Sequence, residues 1–134
     1  MQTLPLKKLL IIEDELPLLR ILSREFDNKN TMVIGAADGQ EGLRLALQEH
    51  PDLVLLDLIM PKIDGLTLLK KLREDDWGKN AQVLILTNLE GDAEKTLTAI
   101  ENGVFEFLVK TRWSLEKLKK IVEEKLYGEN SGLA

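Results

Sequence analysis

Pro51-Asp52-Leu53-Val54-Leu55-Leu56-Asp57 is the stretch on which the fold turns. Four apolar residues in a row, fenced by turn-forming and charged residues, read as a strand buried on both faces, the kind a parallel sheet requires. Runs of the same type recur at residues 9–12, 32–36, 83–86 and 105–109. Between them the period becomes helical. Leu18, Leu22 and Phe26 recur at i, i+4, i+8, and Leu43, Ala46 and Leu47 at i, i+3, i+4. Leu68, Leu69 and Leu72 repeat the pattern, Ala93, Leu97 and Ile100 follow it more weakly, and Leu115, Leu118, Val122 and Leu126 mark the clearest helix. Pro17 suits a first helical turn, Asp38 with Glu41 fits a capping box, and Pro51 stops the second helix just after His50. Ser114 suits the N-cap of the last helix, with Trp113 and Leu118 placed as a hydrophobic staple, and Gly128 ends it.

Strand and helix alternating five times imply parallel strands joined by right-handed crossovers, hence an α/β doubly wound sheet with helices on both faces. The chain has 134 residues, 44% of them hydrophobic, which is material for one domain and one sheet. Residues 7–127 are expected to form it, between an extension at 1–6 and a tail at 128–134. With 18 Lys+Arg against 23 Asp+Glu the net charge is −5, so direct nucleic-acid binding by this chain is disfavoured. The absence of cysteine removes disulfides and Cys-based metal sites, and one histidine removes multi-His sites. No apolar run approaches the ~20 residues that cross a bilayer, and Glu13-Asp14-Glu15 cuts off the first run below signal-peptide length. A soluble, cytoplasmic protein is expected.

In doubly wound sheets ligands bind outside the carboxyl ends of the strands. There this sequence places Glu13 and Asp14 after one strand and Asp57, Thr87 and Lys110 after three others, five groups from four strands. Three carboxylates brought together repel by about 4 kcal/mol per pair at ~4 Å and an effective dielectric near 20, and a divalent cation is the natural relief. Magnesium accepts one or two carboxylates and bridges to phosphate oxygens, whereas calcium calls for a fuller cage. An aspartate facing such an ion and an ammonium is equipped to attack phosphorus, with Lys110 and Thr87 as donors to the phosphoryl group. Asp57 is the central candidate.

These blocks, together with Leu9-Leu10-Ile11-Ile12-Glu13-Asp14-Glu15, Asp57-Leu58-Ile59-Met60-Pro61-Lys62-Ile63-Asp64-Gly65, Val83-Leu84-Ile85-Leu86-Thr87 and Gly103-Val104-Phe105-Glu106-Phe107-Leu108-Val109-Lys110, resemble the response-regulator receiver domains of two-component signalling, chemotaxis regulators among them. The resemblance covers about residues 7–127. It implies a flavodoxin-like five-stranded sheet of order 2-1-3-4-5. It also implies that Asp57 is the phosphoacceptor, that Asp14 and Asp57 bind Mg2+ directly, Glu13 does so through water, and the backbone carbonyl of Ile59 completes the protein ligands. Thr87 contacts the phosphoryl group and moves with it, Lys110 pairs with it, and Phe107 is the switch aromatic. The implied donor is a sensor histidine kinase or histidine phosphotransfer protein. Such a domain catalyses only its own phosphorylation and dephosphorylation and is not an enzyme acting on a metabolite. Output passes to a protein partner through the face formed by residues 91–127, which could also form a homodimer.

Some positions depart from the family pattern. Thr111 replaces the usual proline after the lysine, and Thr111-Arg112-Trp113-Ser114 is one residue longer than usual. A non-proline cis bond costs about 3–4 kcal/mol, so a trans Lys110–Thr111 bond with Trp113 as the anchor is expected. Asn88 stands where a small residue is usual and either crowds the phosphoryl pocket or adds a donor to it. Ile59 and Leu89, both apolar at positions that tune water access, predict a long-lived phosphorylated state. A phosphatase-like enzyme with an aspartyl nucleophile would carry a second aspartate where Ile59 stands. A flavin or nucleotide carrier would show a Gly-rich loop, which is missing. A degenerate receiver serving only as an interaction module is the remaining rival. With seven residues after Tyr127, the chain either acts through a partner surface or is a receiver cut from a longer parent.

Overall fold

The computed structural model describes residues 6–58, 60, 62–87, 93–104, 106–109 and 114–128. In chain order the elements are β1 (Lys7–Ile12), α1 (Leu16–Phe26), β2 (Thr31–Ala36), α2 (Gly39–Glu49), β3 (Leu53–Leu56), α3 (Gly65–Glu74), a 3-10 turn (Gly78–Asn80), β4 (Val83–Thr87), α4 (Ala93–Glu101), β5 (Phe107–Val109) and α5 (Leu115–Tyr127). The strands form one parallel sheet in the order β2-β1-β3-β4-β5, as the family resemblance implies.

Alternate residues of each strand point to opposite faces, so the apolar runs feed two cores at once. Leu10, Ile12, Val54, Leu56 and Ile85 pack with Ala46 of α2 and Leu68, Leu69 and Leu72 of α3. Leu9, Ile11, Leu53, Leu55, Leu84 and Leu86 pack with Leu22 and Phe26 of α1 and Leu118, Val122 and Leu126 of α5. Each fully buried leucine contributes roughly 1.5–3 kcal/mol, which is why four-residue strands suffice.

The helix ends follow the expected chemistry in most places. Asp38 caps α2 by accepting the Glu41 N–H at 2.8 Å, Asp64 caps α3 from Thr67 at 2.9 Å, and Ser114 caps α5 from Lys117 at 3.1 Å. The capping box at Asp38 is only half realised, because the Glu41 carboxylate turns outward to the Arg44 guanidinium one turn on. His50 ends α2 in the left-handed region (φ 48) and stacks on Trp77, their rings 4.5 Å apart. Tyr127, at the end of α5, fastens that helix to the start of β2 through its hydroxyl, which bonds Thr31 and donates to the Asn30 carbonyl at 2.7 Å.

Two helices depart from the faces their periodicity suggests, α2 in part. In α2 Ala46 is buried and Leu43 packs against the core as expected, but Leu47 is 37% exposed, and Gly42 brings the helix against Ile12 of the sheet. In α4 Ala99 is buried, whereas Leu97 and Ile100 are 56% and 39% exposed. Two contacts set that rotation: the Val104 N–H bonds the Ala99 carbonyl, and Arg73 grips the Asn102 carbonyl just past the helix. β5 is also shorter than the 105–109 run, beginning after Glu106, whose exposed side chain pairs with Lys125.

Candidate phosphoacceptor site

The register brings the strand ends level. Ile12 is opposite both Ala36 and Leu56, and Leu56 is opposite Ile85. The next residues of β1 and β3 therefore emerge side by side: Glu13 N–H bonds the Ala36 carbonyl and Asp57 N–H the Ile12 carbonyl. Glu13 and Asp57 are buried, at 2% and 4% exposure, and Asp14 is half-buried. One carboxylate oxygen from each of the three lies within 4.8 Å of the others. The Glu13 carboxylate also accepts the Glu15 N–H at 3.0 Å, which turns the chain into α1. At this spacing each like-charged pair repels by on the order of 3–4 kcal/mol at an effective dielectric of about 20. Three hard oxygen donors at close quarters fit a divalent cation of the magnesium class.

The segment after Asp57 is held on two sides. Gly65 lies so close beneath it that a Cβ there would stand 2.4 Å from the Asp57 carbonyl oxygen and 2.5 Å from Leu58 Cα. On the other side Gly39 lies against the Ile63 carbonyl, and Lys62, in the left-handed region (φ 68), donates to Asp38 at 3.2 Å. The Glu41 N–H at the α2 N-terminus, followed by Lys62, holds the Asp38 carboxyl below the usual aspartate range. In the sequence Asp38 reads as a cap, and Lys62 stands only as one member of the block that follows Asp57. Their pairing is visible only once β2 and β3 are known to flank β1.

On the β4 and β5 side, Thr87 pairs in register with Val109, so the hydroxyl-bearing residue ends its strand level with the residue before Lys110. Ile59, Asn88, Leu89, Lys110, Thr111 and Trp113 lie outside the described residues, as do the side chains of Thr87 and Phe107. The expectations placed on them, including the trans Lys110–Thr111 bond and the Trp113 anchor, therefore rest on the sequence alone.

A doubly wound parallel sheet with an acidic cluster at the carboxyl edge of its central strands defines a flavodoxin-like fold with an acidic end. Within that class, residues 9–123 match the response regulator receiver domain family, and the chain belongs to it. Among its relatives is the probable transcriptional regulator ycf27 of Cyanophora paradoxa, 38% identical over 104 residues, or 78% of this chain. The chain spans 42% of that relative's length. Among solved structures, the Vibrio cholerae chemotaxis protein CheY4 superposes with a TM-score of 0.80 at 28% identity, covering 90% of this chain and 99% of that one. The CheX–CheY–BeF3–Mg2+ complex of Borrelia burgdorferi gives 0.76 at 30% identity, covering 88% and 87%. The protein is therefore a response-regulator receiver domain of a two-component system.

Proposed function

We propose that Asp57 accepts a phosphoryl group from the phosphohistidine of a sensor kinase or phosphotransfer protein, and that the phosphorylated domain presents an altered surface to a partner. The convergence of Glu13, Asp14 and Asp57 at one point of the sheet edge carries the reading. A carboxylate oxygen of Asp57 attacks phosphorus as the P–N bond of the donor breaks, and the departing imidazole keeps the electron pair and takes up a proton from solvent. Burial of Asp57 and the close packing of Gly65 against its carbonyl hold the nucleophile in one position, so little orientation is lost on reaction. Thr87 donates a hydrogen bond to the transferred group, and the Lys110 ammonium offsets its charge.

Asp14 and Asp57 would hold Mg2+ directly and Glu13 through water, the three carboxylates that the sheet edge brings together, and the family resemblance adds the Ile59 carbonyl to the set. When bound, the ion neutralises charge on the phosphoryl oxygens as a Lewis acid. The CheY neighbour from Borrelia, whose complex contains BeF3 and Mg2+, supports both assignments by similarity. Turnover is limited to the domain's own phosphorylation and dephosphorylation, in the cytoplasm. No described helix is long and apolar enough to cross a membrane. The output face is that of residues 91–127, where α4 exposes Leu97 and Ile100 to a downstream protein, a following output domain or a second copy.

Incubation with Mg2+ and acetyl phosphate should yield an acid-stable, base-labile phosphoryl group that Asp57→Asn lacks. Absence of incorporation from both acetyl phosphate and histidine kinases would make the chain a phosphorylation-independent interaction module instead.

A further inference from the structure

We propose that the amino edge of the sheet, at the opposite end from the carboxylates, holds a second binding site, for a small phosphate-type oxyanion, built around Arg73 and Lys79. Arg73 stands in the last turn of α3 and carries five N–H donors and no acceptor. Three of them are committed to backbone carbonyls: Nε to Asn102, and Nη1 to both Gly78 and Ala81, all at 2.7 Å. These oxygens close the end of α4 and the 3-10 turn. They carry partial negative charge but are not anions. No carboxylate among the described residues pairs with this guanidinium, and burial holds its pKa below the ordinary arginine range, a direction that a paired carboxylate would oppose.

Nη2 makes no hydrogen bond among the described residues. It lies beside Gly103, where a Cβ would stand 3.6 Å away, and at φ +81 that position favours the residue that leaves this side open. Arg73 and Gly103 both line an open surface depression of about 470 Å3, enough for a small anion that stays in contact with solvent. Lys79, Asn80 and Asn102 line it too, and Glu101 is its one acidic member. A partly desolvated guanidinium with spare N–H groups, a second cation and the Asn80 amide make the combination that binds a tetrahedral oxyanion through several short bonds, while the Asn102 amide already gives one N–H to the Thr98 carbonyl at 2.8 Å. A carboxylate presents only two oxygens to share among these donors. The length of β4, about 15 Å, separates this depression from Asp57, so the site does not depend on the phosphoacceptor reading. A bound anion would join the end of α3 to the end of α4.

The probes are inorganic phosphate and adenosine monophosphate, each titrated at fixed ionic strength with EDTA present while backbone amides are followed by NMR. The amides of residues 78–81 and 102–104 should shift along a saturating curve. Lys79→Glu should weaken that binding by about tenfold or more, and Asp57→Asn should leave it unchanged. Tighter binding of the nucleotide would assign the site to phosphate esters, and equal affinity to the free ion. Arg73→Gln removes both the donor and three structural bonds, so exposed Lys79 is the variant that separates binding from folding. Absence of saturable shifts at these amides with either probe, or curves that Lys79→Glu leaves unaltered, would overturn the proposal.

Discussion

Asp14 is the half-buried member of the carboxylate trio, which makes it the residue to change with least damage to packing. Asp14→Asn removes one like charge from the cluster and one oxygen donor from the cation site. The variant should therefore be at least as stable as the parent without metal, and should lose the stabilisation that Mg2+ gives the parent. For a single site that stabilisation is RT ln(1 + [L]/Kd), about 2.7 kcal/mol at a hundredfold excess over Kd, and thermal melts with and without MgCl2 read it directly. Gly65 acts on the same site through backbone contact. Gly65→Ala drives a methyl group into the Asp57 carbonyl and the Leu58 backbone, neither of which can rotate away. We expect a loss of about 1–3 kcal/mol in urea unfolding, together with slower phosphoryl uptake if Asp57 is the acceptor as proposed, because the strand end that carries Asp57 must move.

At the scale of elements, the strap between Asp38 at the start of α2 and Lys62 after β3 gives a pH dependence with a definite sign. The Asp38 carboxyl, held first by the Glu41 N–H and then by Lys62, titrates in the folded chain below its unfolded range, so these contacts contribute stability that is present above about pH 4 and lost as pH falls through the lower, folded value. Asp38→Asn keeps a good helix cap but not the charge. Urea midpoints of the variant should fall less steeply than the parent's over that acid range; parallel curves would show that the charge at Asp38 adds nothing. The strands and most helix caps are legible in the sequence because each depends on neighbours along the chain. The burial of Leu53 to Leu56 on two faces and the Ser114 cap are of this kind. The face of α4 is not legible: which side of a nine-residue helix meets the sheet was decided by Arg73 and Val104, both outside it. Arg73 is equally illegible, because its partners Gly78, Ala81 and Asn102 meet around it only in the folded chain.

Over the whole molecule, the carboxylates belong to strands that are neighbours in space though about forty residues apart in sequence, and the strand order makes them so. Periodicity alone identifies five buried strands and two helix layers; the order came from the family resemblance, since several orders would bury the same residues. The order also has a consequence for how the chain comes into being. β1 has β2 and β3 on its two sides, and all three end by Leu56, whereas β4 and β5 add afterwards along one edge. A nascent chain can therefore close the β2-β1-β3 ribbon, and set Glu13, Asp14 and Asp57 together, before the segment bearing Thr87 and Lys110 has left the ribosome. In refolding, pulse-labelled hydrogen exchange should protect amides of β1, β2 and β3 ahead of those of β5, and simultaneous protection would refute this order of assembly. The acidic end of the molecule would then exist, and attract cations, before the segment bearing Thr87 and Lys110 arrives.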